Sequence, residues 1–339
     1  MRAAVLHSPG DIRLESVPEP KASAGHVVIR VAAVGVCGSD LPRMLSKGAH
    51  RMPLICGHEF SGHIVEIGPD VEGFKIGDLV SVPPLIACYH CSQCLRGQFS
   101  RCENYDYFGS RRDGAYGELV VVPISNLLKT PAGIDPAAAA MCDPAAIALH
   151  AIWNAGGLTV GNRGGVIGCG PIGLFAIQWM RLLGAREIVA VDISEEKLAM
   201  AREAGATHAV LGSEEIAQDL LCDIVIEAAG NPAAITRAIK MTGPGGHTAF
   251  IGIPTGDVPL ENKTFQHFLR QEISLHGSWN SMGEPFPGAQ WRVSLDRLAS
   301  GDLKWRFMIT HDLDLDALPD MFESFKDRNT FFSKVLFRP

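Results

Sequence analysis

The sequence predicts an α/β protein of two domains, a β-rich domain and a doubly wound parallel sheet, with the chain returning to the first domain at its end. Three observations carry this. From residue 1 to about 145, short β-branched runs are broken by Gly and Pro; beyond that, apolar runs alternate with helix-like segments; and a glycine-spaced turn links the first such run to the first such helix. A length of 339 residues allows two domains at roughly 150 residues each. With 47% hydrophobic and 20% charged residues the chain can bury a sizeable core, which excludes a disordered tail. A formal net charge of −7 offers no diffuse attraction for nucleic acid or anionic lipid. The expected partner is a small molecule, with no nucleic acid and no membrane.

Taken in order, His26 to Val34, His63 to Ile67 and Asp78 to Val82 read as strands of the β-rich domain. Gly165 to Gly168, Glu187 to Asp192, His208 to Leu211, Cys222 to Glu227 and His247 to Gly252 read as parallel strands. Glu272 to His276 supplies a sixth and completes two mononucleotide-binding halves. Asp296 to Leu298 and Lys334 to Phe337 look like the return. The expected boundaries are 1–146 for the β-rich catalytic domain with a cysteine lobe at 88–102, 147–286 for the parallel sheet, and 287–339 for the returning segment. Gly164 to Met180 is weakly charged but interrupted by Gly and Pro, so it reads as strand, turn and helix instead of a membrane span. Met1 to His7 carries no apolar signal-peptide core, and nine cysteines is an odd count, so a reducing, cytoplasmic setting is expected. The sixth strand, at a sheet edge, predicts a homodimer, with a tetramer also open.

Cys88, Cys91, Cys94 and Cys102 place four thiols in 15 residues. The short gaps let a tight loop turn successive sulfurs inward, and the longer gap lets the chain come back to close a tetrahedron around Zn²⁺. Buried thiols, disulfides and an iron–sulfur cluster are the other readings of that spacing.

Gly168-Cys-Gly170-Pro171-Ile172-Gly173 follows a strand and opens a helix. Gly168 suits the tight turn, Gly170 admits a pyrophosphate, Gly173 allows close helix–strand packing, and the helix N-terminus attracts the anion. Asp192 ends the next strand, where a carboxylate accepts the ribose hydroxyls and repels a 2′-phosphate. Lys197 follows it within the same expected cofactor site. The pattern predicts a Rossmann domain that prefers NAD to NADP, although Asp192 as a simple helix cap is the plainer alternative.

Cys37-Gly-Ser39-Asp40 and Gly57-His58-Glu59 lie where β-rich segments break. Either piece alone is ordinary for a protein core. Together with the four-cysteine lobe, Asp143-Pro144 and the glycine turn, they resemble the zinc-dependent medium-chain dehydrogenase/reductase family, sorbitol-dehydrogenase-like branch. The resemblance implies a GroES-like fold for the β-rich domain and two Zn²⁺ per chain. One would be closed by the four cysteines. The other, catalytic, would be held by Cys37, His58 and a carboxylate near Asp143, with Glu59 close to the metal and Cys142 a less favoured substitute. It further implies that Ser39 relays the alcohol proton and that Asp40 supports His58, whereas on residues alone Ser39 could equally cap a loop. The chain departs from the branch in carrying Asp143 where a Glu is usual, a side chain one methylene shorter.

Within the branch, Cys37 to Arg43, Lys47 to His50, Gly57 to Gly62, Gly109 to Gly114, Asp192 to Lys197 and Gly277 to Trp279 resemble the enzymes that oxidise hexitol phosphates. That resemblance implies a zinc- and NAD-dependent oxidoreductase for a polyol phosphate. A free polyol, a secondary alcohol or threonine is the alternative, and a non-catalytic NAD-binding protein the different class. Arg43, His50, Arg111 and Arg112 are the candidate substrate residues, because convergent guanidinium donors suit a phosphate; adjacent arginines in a loop can also be solvated surface.

Overall fold

The structure is a computed structural model that describes residues 1–254, 256–327 and 330–339. Two compact units emerge: Met1–Asp143 with Met282–Gly301 and Ile309–Pro339, and Pro144–Ser281 with Asp302–Met308. Asp302–Met308 belongs to the second unit, although the sequence reading expected it in the returning part of the first. The reason is local: the Gln178 side chain donates to the Lys304 carbonyl at 2.9 Å and accepts the Lys304 N–H at 2.7 Å, taking the place of a strand partner for that segment.

The first unit opens with β1 (Arg2–Ser8), β2 (Asp11–Ser16), β3 (His26–Gly35), β4 (Leu54–Ile55) and β5 (Glu59–Ile67). There follow β6 (Leu79–Val82), β7 (Leu85–Ile86), β8 (Asp106–Tyr107), β9 (Leu119–Pro123) and β10 (Leu128–Lys129). β1 lies between β2 and β4, and β7 pairs with β8. Buried side chains such as Leu6, Ile29, Phe60, Phe108, Tyr116 and Phe337 form a continuous core. Phe60 meets Phe108 edge-on at 5.5 Å, and Tyr116 meets Phe337 at 5.9 Å.

The second unit holds β11 (Arg163–Ile167), β12 (Glu187–Asp192), β13 (His208–Leu211), β14 (Cys222–Glu227), β15 (Thr242–Phe250) and β16 (Ser274–Gly277). They form one parallel sheet in the order β13-β12-β11-β14-β15-β16. This is the order of two mononucleotide halves meeting between β11 and β14, the switch point at which such sheets bind ligands. β11, β12 and β14 are buried on both faces, which is why they read as continuous apolar runs.

The returning strands β17 (Ile309–Asp314) and β18 (Lys334–Arg338) complete the large sheet of the first unit, in the order β10-β6-β5-β3-β18-β17, with β9 also on β3. The fold is the expected α/β arrangement of a β-rich domain and a Rossmann sheet. Among the described residues no helix is long and apolar enough to cross a membrane.

Candidate active site

Strand register explains how residues distant in sequence meet. β3 ends at Gly35, directly opposite Glu59 at the start of β5, so the turn carrying Cys37 arrives beside His58 and Glu59. The ligand atoms of Cys37, His58 and Glu59 all lie within 4.8 Å of one another. β18 flanks β3 on its other side and brings in Lys334, whose Nζ pairs with Glu59 Oε2 and donates to the Val36 carbonyl at 3.0 Å. Gly35 makes room for that pair, since a Cβ there would meet Glu59 Oε2 at 2.6 Å and Lys334 Cε at 2.8 Å.

Asp40, fully buried, organises the Cys37 turn. Its carboxylate accepts the Cys37 N–H at 3.1 Å and the Tyr116 hydroxyl at 3.1 Å, and it pairs with the Arg43 guanidinium. His58 Nδ1 lies 3.3 Å away, a contact of charges and not a hydrogen bond. Burial alone would push the Asp40 carboxyl up, but His58 and Arg43 hold it well below the usual carboxylate range. For His58, burial works downward, and Asp40 with Cys37 outweighs it, so the ring is drawn well above its ordinary value. Anchoring one ring nitrogen by a carboxylate leaves Nε2 as the ligand atom. Ser39 begins the short helix Asp40–Pro42 without a side-chain capping bond, so the capping role is not what its hydroxyl does.

Asp143 stands in the first turn of the helix Cys142–Asn154, buried, outside the Cys37–His58–Glu59 group. Its Oδ1 is buried without a hydrogen-bond partner, and burial followed by the Glu59 carboxylate pushes its carboxyl up to about 7. Cys142 is engaged elsewhere, its thiol donating to the Trp291 carbonyl at 3.4 Å, which removes it as a substitute ligand. A thiolate, an imidazole and a carboxylate are a set that zinc accepts with one position left for substrate. The unpaired Asp143 oxygen calls for a hydrogen-bond donor or a cation. The residues fit zinc.

Cys88, Cys91, Cys94 and Cys102 form the second such group. Cys88 Sγ lies 3.9 Å from Cys94 Sγ, against an edge of about 3.8 Å for a tetrahedron with Zn–S of about 2.3 Å. Backbone N–H groups point at the sulfurs: Cys88 to Cys102, Cys91 to Cys88 and Cys94 to Cys91, at 3.3, 3.4 and 3.5 Å. Amides of Glu103 and Cys94 pull Cys91 down to about 6, while burial pushes Cys94 up to about 12. A dication at the centre favours the thiolate in all four. All nine cysteines are unpaired.

In the second unit the glycine turn has the backbone geometry expected of a tight turn packed closely on a helix. Gly168 has φ +90°, and a Cβ on Gly173 would sit 1.9 Å from the Gly168 carbonyl oxygen. Gly170 caps the helix Pro171–Leu182, with open space in front of it. A cavity of about 810 Å³ is bordered by Gly168, Gly170, Asp192, Lys197, Asn231 and Arg237, while Gly173 stays behind it in the helix–strand contact. Asp192 Oδ2 accepts the Cys169 N–H at 2.7 Å and Oδ1 the Ser194 N–H at 3.0 Å. The helix cap is Ser194, which accepts the Lys197 N–H, so Asp192 is not itself the capping residue.

Of the four candidate substrate residues, three have side-chain partners in the fold. Arg43 is held by Asp40, and the Arg111 guanidinium stacks 4.4 Å from the Tyr105 ring. Arg112 lies 3.5 Å from Asp106 and borders a separate cleft of about 460 Å³ with Arg51 and Leu54. His50 is exposed, its backbone N–H donating to the Ser110 carbonyl. Sequence reasoning missed Lys334, Tyr107 and Arg237. A lone lysine opening an apolar strand was the available signal for Lys334; nothing local marks the other two.

A zinc-ligand cluster and a four-thiol lobe in the β-rich unit, and a Rossmann sheet with a glycine turn in the second unit, define a zinc-dependent dehydrogenase. Residues 23–132 match the model of the alcohol dehydrogenase GroES-like domain, and residues 171–300 that of the zinc-binding dehydrogenase. The chain belongs to the zinc-dependent medium-chain dehydrogenase family, with zinc and a nicotinamide dinucleotide as its cofactors. In sequence it is 36% identical to galactitol 1-phosphate 5-dehydrogenase of Escherichia coli over 100% of both chains. It is 30% identical to sorbitol dehydrogenase of Bacillus subtilis, over 95% of this chain and 93% of that one. The crystal structure of galactitol-1-phosphate dehydrogenase from Escherichia coli matches with a TM-score of 0.94 at 34% identity, over 100% of both chains.

Proposed function

We propose that the chain oxidises a secondary alcohol of a polyol phosphate, a hexitol phosphate like galactitol 1-phosphate, to the ketose phosphate, with NAD accepting the hydride. The observation that carries the reading is the meeting of Cys37, His58 and Glu59 within 4.8 Å. Likeness to the galactitol 1-phosphate enzyme over the full chain supports the substrate class.

Cys37 and His58 bind the catalytic zinc, with Glu59 or Asp143 as the carboxylate, and the four lobe cysteines bind a structural one. Zinc held there would supply a Lewis acid that makes the substrate alcohol acidic. Ser39 would relay the alcohol proton, taking it onto its oxygen while releasing its own hydroxyl proton toward solvent. Asp40 holds His58 in register, and Arg43 keeps Asp40 ionised. Gly168, Gly170, Pro171, Ile172 and Gly173 seat the pyrophosphate at the helix N-terminus, and Asp192 takes the adenosine ribose hydroxyls. Lys197, on the same cavity wall, adds positive charge toward the phosphates. Nine unpaired cysteines suit a reducing cytoplasm. The exposed edge strand β16, with Leu275 outward, suits pairing with a second copy as a homodimer.

A free polyol is the second reading, favoured by the engagement of Arg43 with Asp40 and Arg112 with Asp106. A purely dinucleotide-binding role has no use for the open ligand cluster. NADH formation from a panel of hexitol phosphates, free hexitols and threonine separates these. The expected outcome is a kcat/KM for a hexitol phosphate at least about tenfold above that for the matching hexitol, a difference worth about 1.4 kcal/mol of transition-state binding. Equal values move the assignment to a free-polyol dehydrogenase, and no turnover of any alcohol removes the catalytic reading.

A further inference from the structure

Tyr107 ends β8, where it pairs with Leu85 of β7. Its backbone is heavily tied: the carbonyl accepts N–H groups of Ser110, Arg111 and Arg112 at 3.4, 3.0 and 3.2 Å, and its own N–H donates to Asp106 Oδ1 at 2.8 Å. The side chain therefore projects from a fixed base. Its ring stands edge-on to the His58 imidazole, with centroids 5.6 Å apart and planes at 61°. Tyr105 packs 6.3 Å away and is itself covered by Arg111. The side chain is half-buried, and none of the hydrogen bonds among the described residues reaches its hydroxyl.

We propose that the Tyr107 hydroxyl is a substrate-binding group that hydrogen-bonds a polyol hydroxyl neighbouring the carbon that is oxidised. A phenol offers one donor and two acceptor positions, and a partly desolvated one left unpaired costs free energy. An aliphatic alcohol with a single hydroxyl leaves it unpaired once its only oxygen is at the metal site. A polyol brings a second hydroxyl about one carbon–carbon bond further on and satisfies it. A site built to bond a substrate hydroxyl discriminates against the analogue that lacks it far more strongly than an apolar pocket does. The ring edge-on to His58 supplies the rigidity such discrimination needs. This inference rests on the alcohol-oxidation reading above.

The test is Tyr107→Phe in the zinc-loaded, full-length enzyme with NAD, comparing galactitol 1-phosphate and sorbitol with butan-2-ol. Removing one oxygen preserves ring packing, so melting temperature and zinc content serve as controls for folding and metal retention. The ratio of kcat/KM for polyol over butan-2-ol is expected to fall about tenfold or more, mainly through the KM of the polyol. A ratio within about twofold of wild type overturns the inference while leaving the alcohol-oxidation reading in place, because packing alone would affect both substrates alike. A wild-type enzyme that turns over none of the three overturns both, which distinguishes the two failures.

Discussion

Gly35 is small so that two opposite charges can face each other across it. Lys334 and Glu59 are almost fully buried and 275 positions apart in the chain. A buried pair gains little over an apolar pair of similar size, but breaking it by removing one partner strands a charge. Lys334→Met should therefore lower stability by about 3–5 kcal/mol, read as a shift of the denaturant midpoint. Adding Glu59→Gln should recover a large part of that loss; no recovery would mean that Lys334 acts through packing and not through charge. The pair also shows where sequence reading stops. Cys37, His58 and Glu59 announced themselves by local words, whereas Lys334 became a neighbour of Glu59 only because β18 settles beside β3. The shorter stem of Asp143 was legible, but its place in a helical first turn, outside the three-residue group, was not.

At the scale of elements, strands buried on both faces were the easiest to read: β12 and β14 fall where the apolar runs lie. β15 starts at Thr242, five residues before the expected His247, because Gly243, Pro244, Gly245 and Gly246 conceal a strand that has no side-chain pattern there. β5 starts at Glu59 and not at His63, since Glu59, Ser61 and Gly62 break the alternation while pairing with β3 and β6. The cysteine lobe is an element of another kind, with two short 3₁₀ turns at Cys94–Arg96 and Phe99–Arg101 and no sheet of its own between Cys88 and Cys102. Its order rests on the thiolates and the amides that point at them. Cys91→Ala should release one metal ion per chain and expose residues 88–102 to limited proteolysis. Binding of NADH, titrated by its fluorescence, should stay within about twofold of wild type, because the cavity residues all belong to the second unit. Loss of both together would tie the lobe to the dinucleotide site.

On the scale of the whole molecule, the proposed choice of NAD rests on one carboxylate at the end of β12. Asp192 accepts two backbone N–H groups, which fix its carboxylate in place, and a carboxylate held there repels a 2′-phosphate. Wild type should favour NAD over NADP, and Asp192→Ala should narrow the kcat/KM ratio by at least about tenfold, chiefly by weakening NAD. An unchanged ratio would place the discrimination in Ile193 or Arg237 on the same cavity wall. The class of fold was visible before any coordinates, because glycine spacing and thiol spacing are chemical requirements written locally. The pairing of Arg43 with Asp40 and of Arg112 with Asp106 was not, since sequence nearness alone does not say which acid an arginine turns to.

The hydrogen bonds between Gln178 and the Lys304 backbone have a consequence for heredity and engineering. Because Asp302–Met308 is part of the second unit, the chain passes between the two units at 143/144, 281/282, 301/302 and 308/309. A dinucleotide-binding module cut from the gene as the single stretch 144–281 would carry Gln178 without its backbone partners. Exchange of that module between related genes is therefore cleanest when a second, seven-residue exon-sized scrap travels with it, and a graft that ignores the scrap inherits an unpaired amide in its interior.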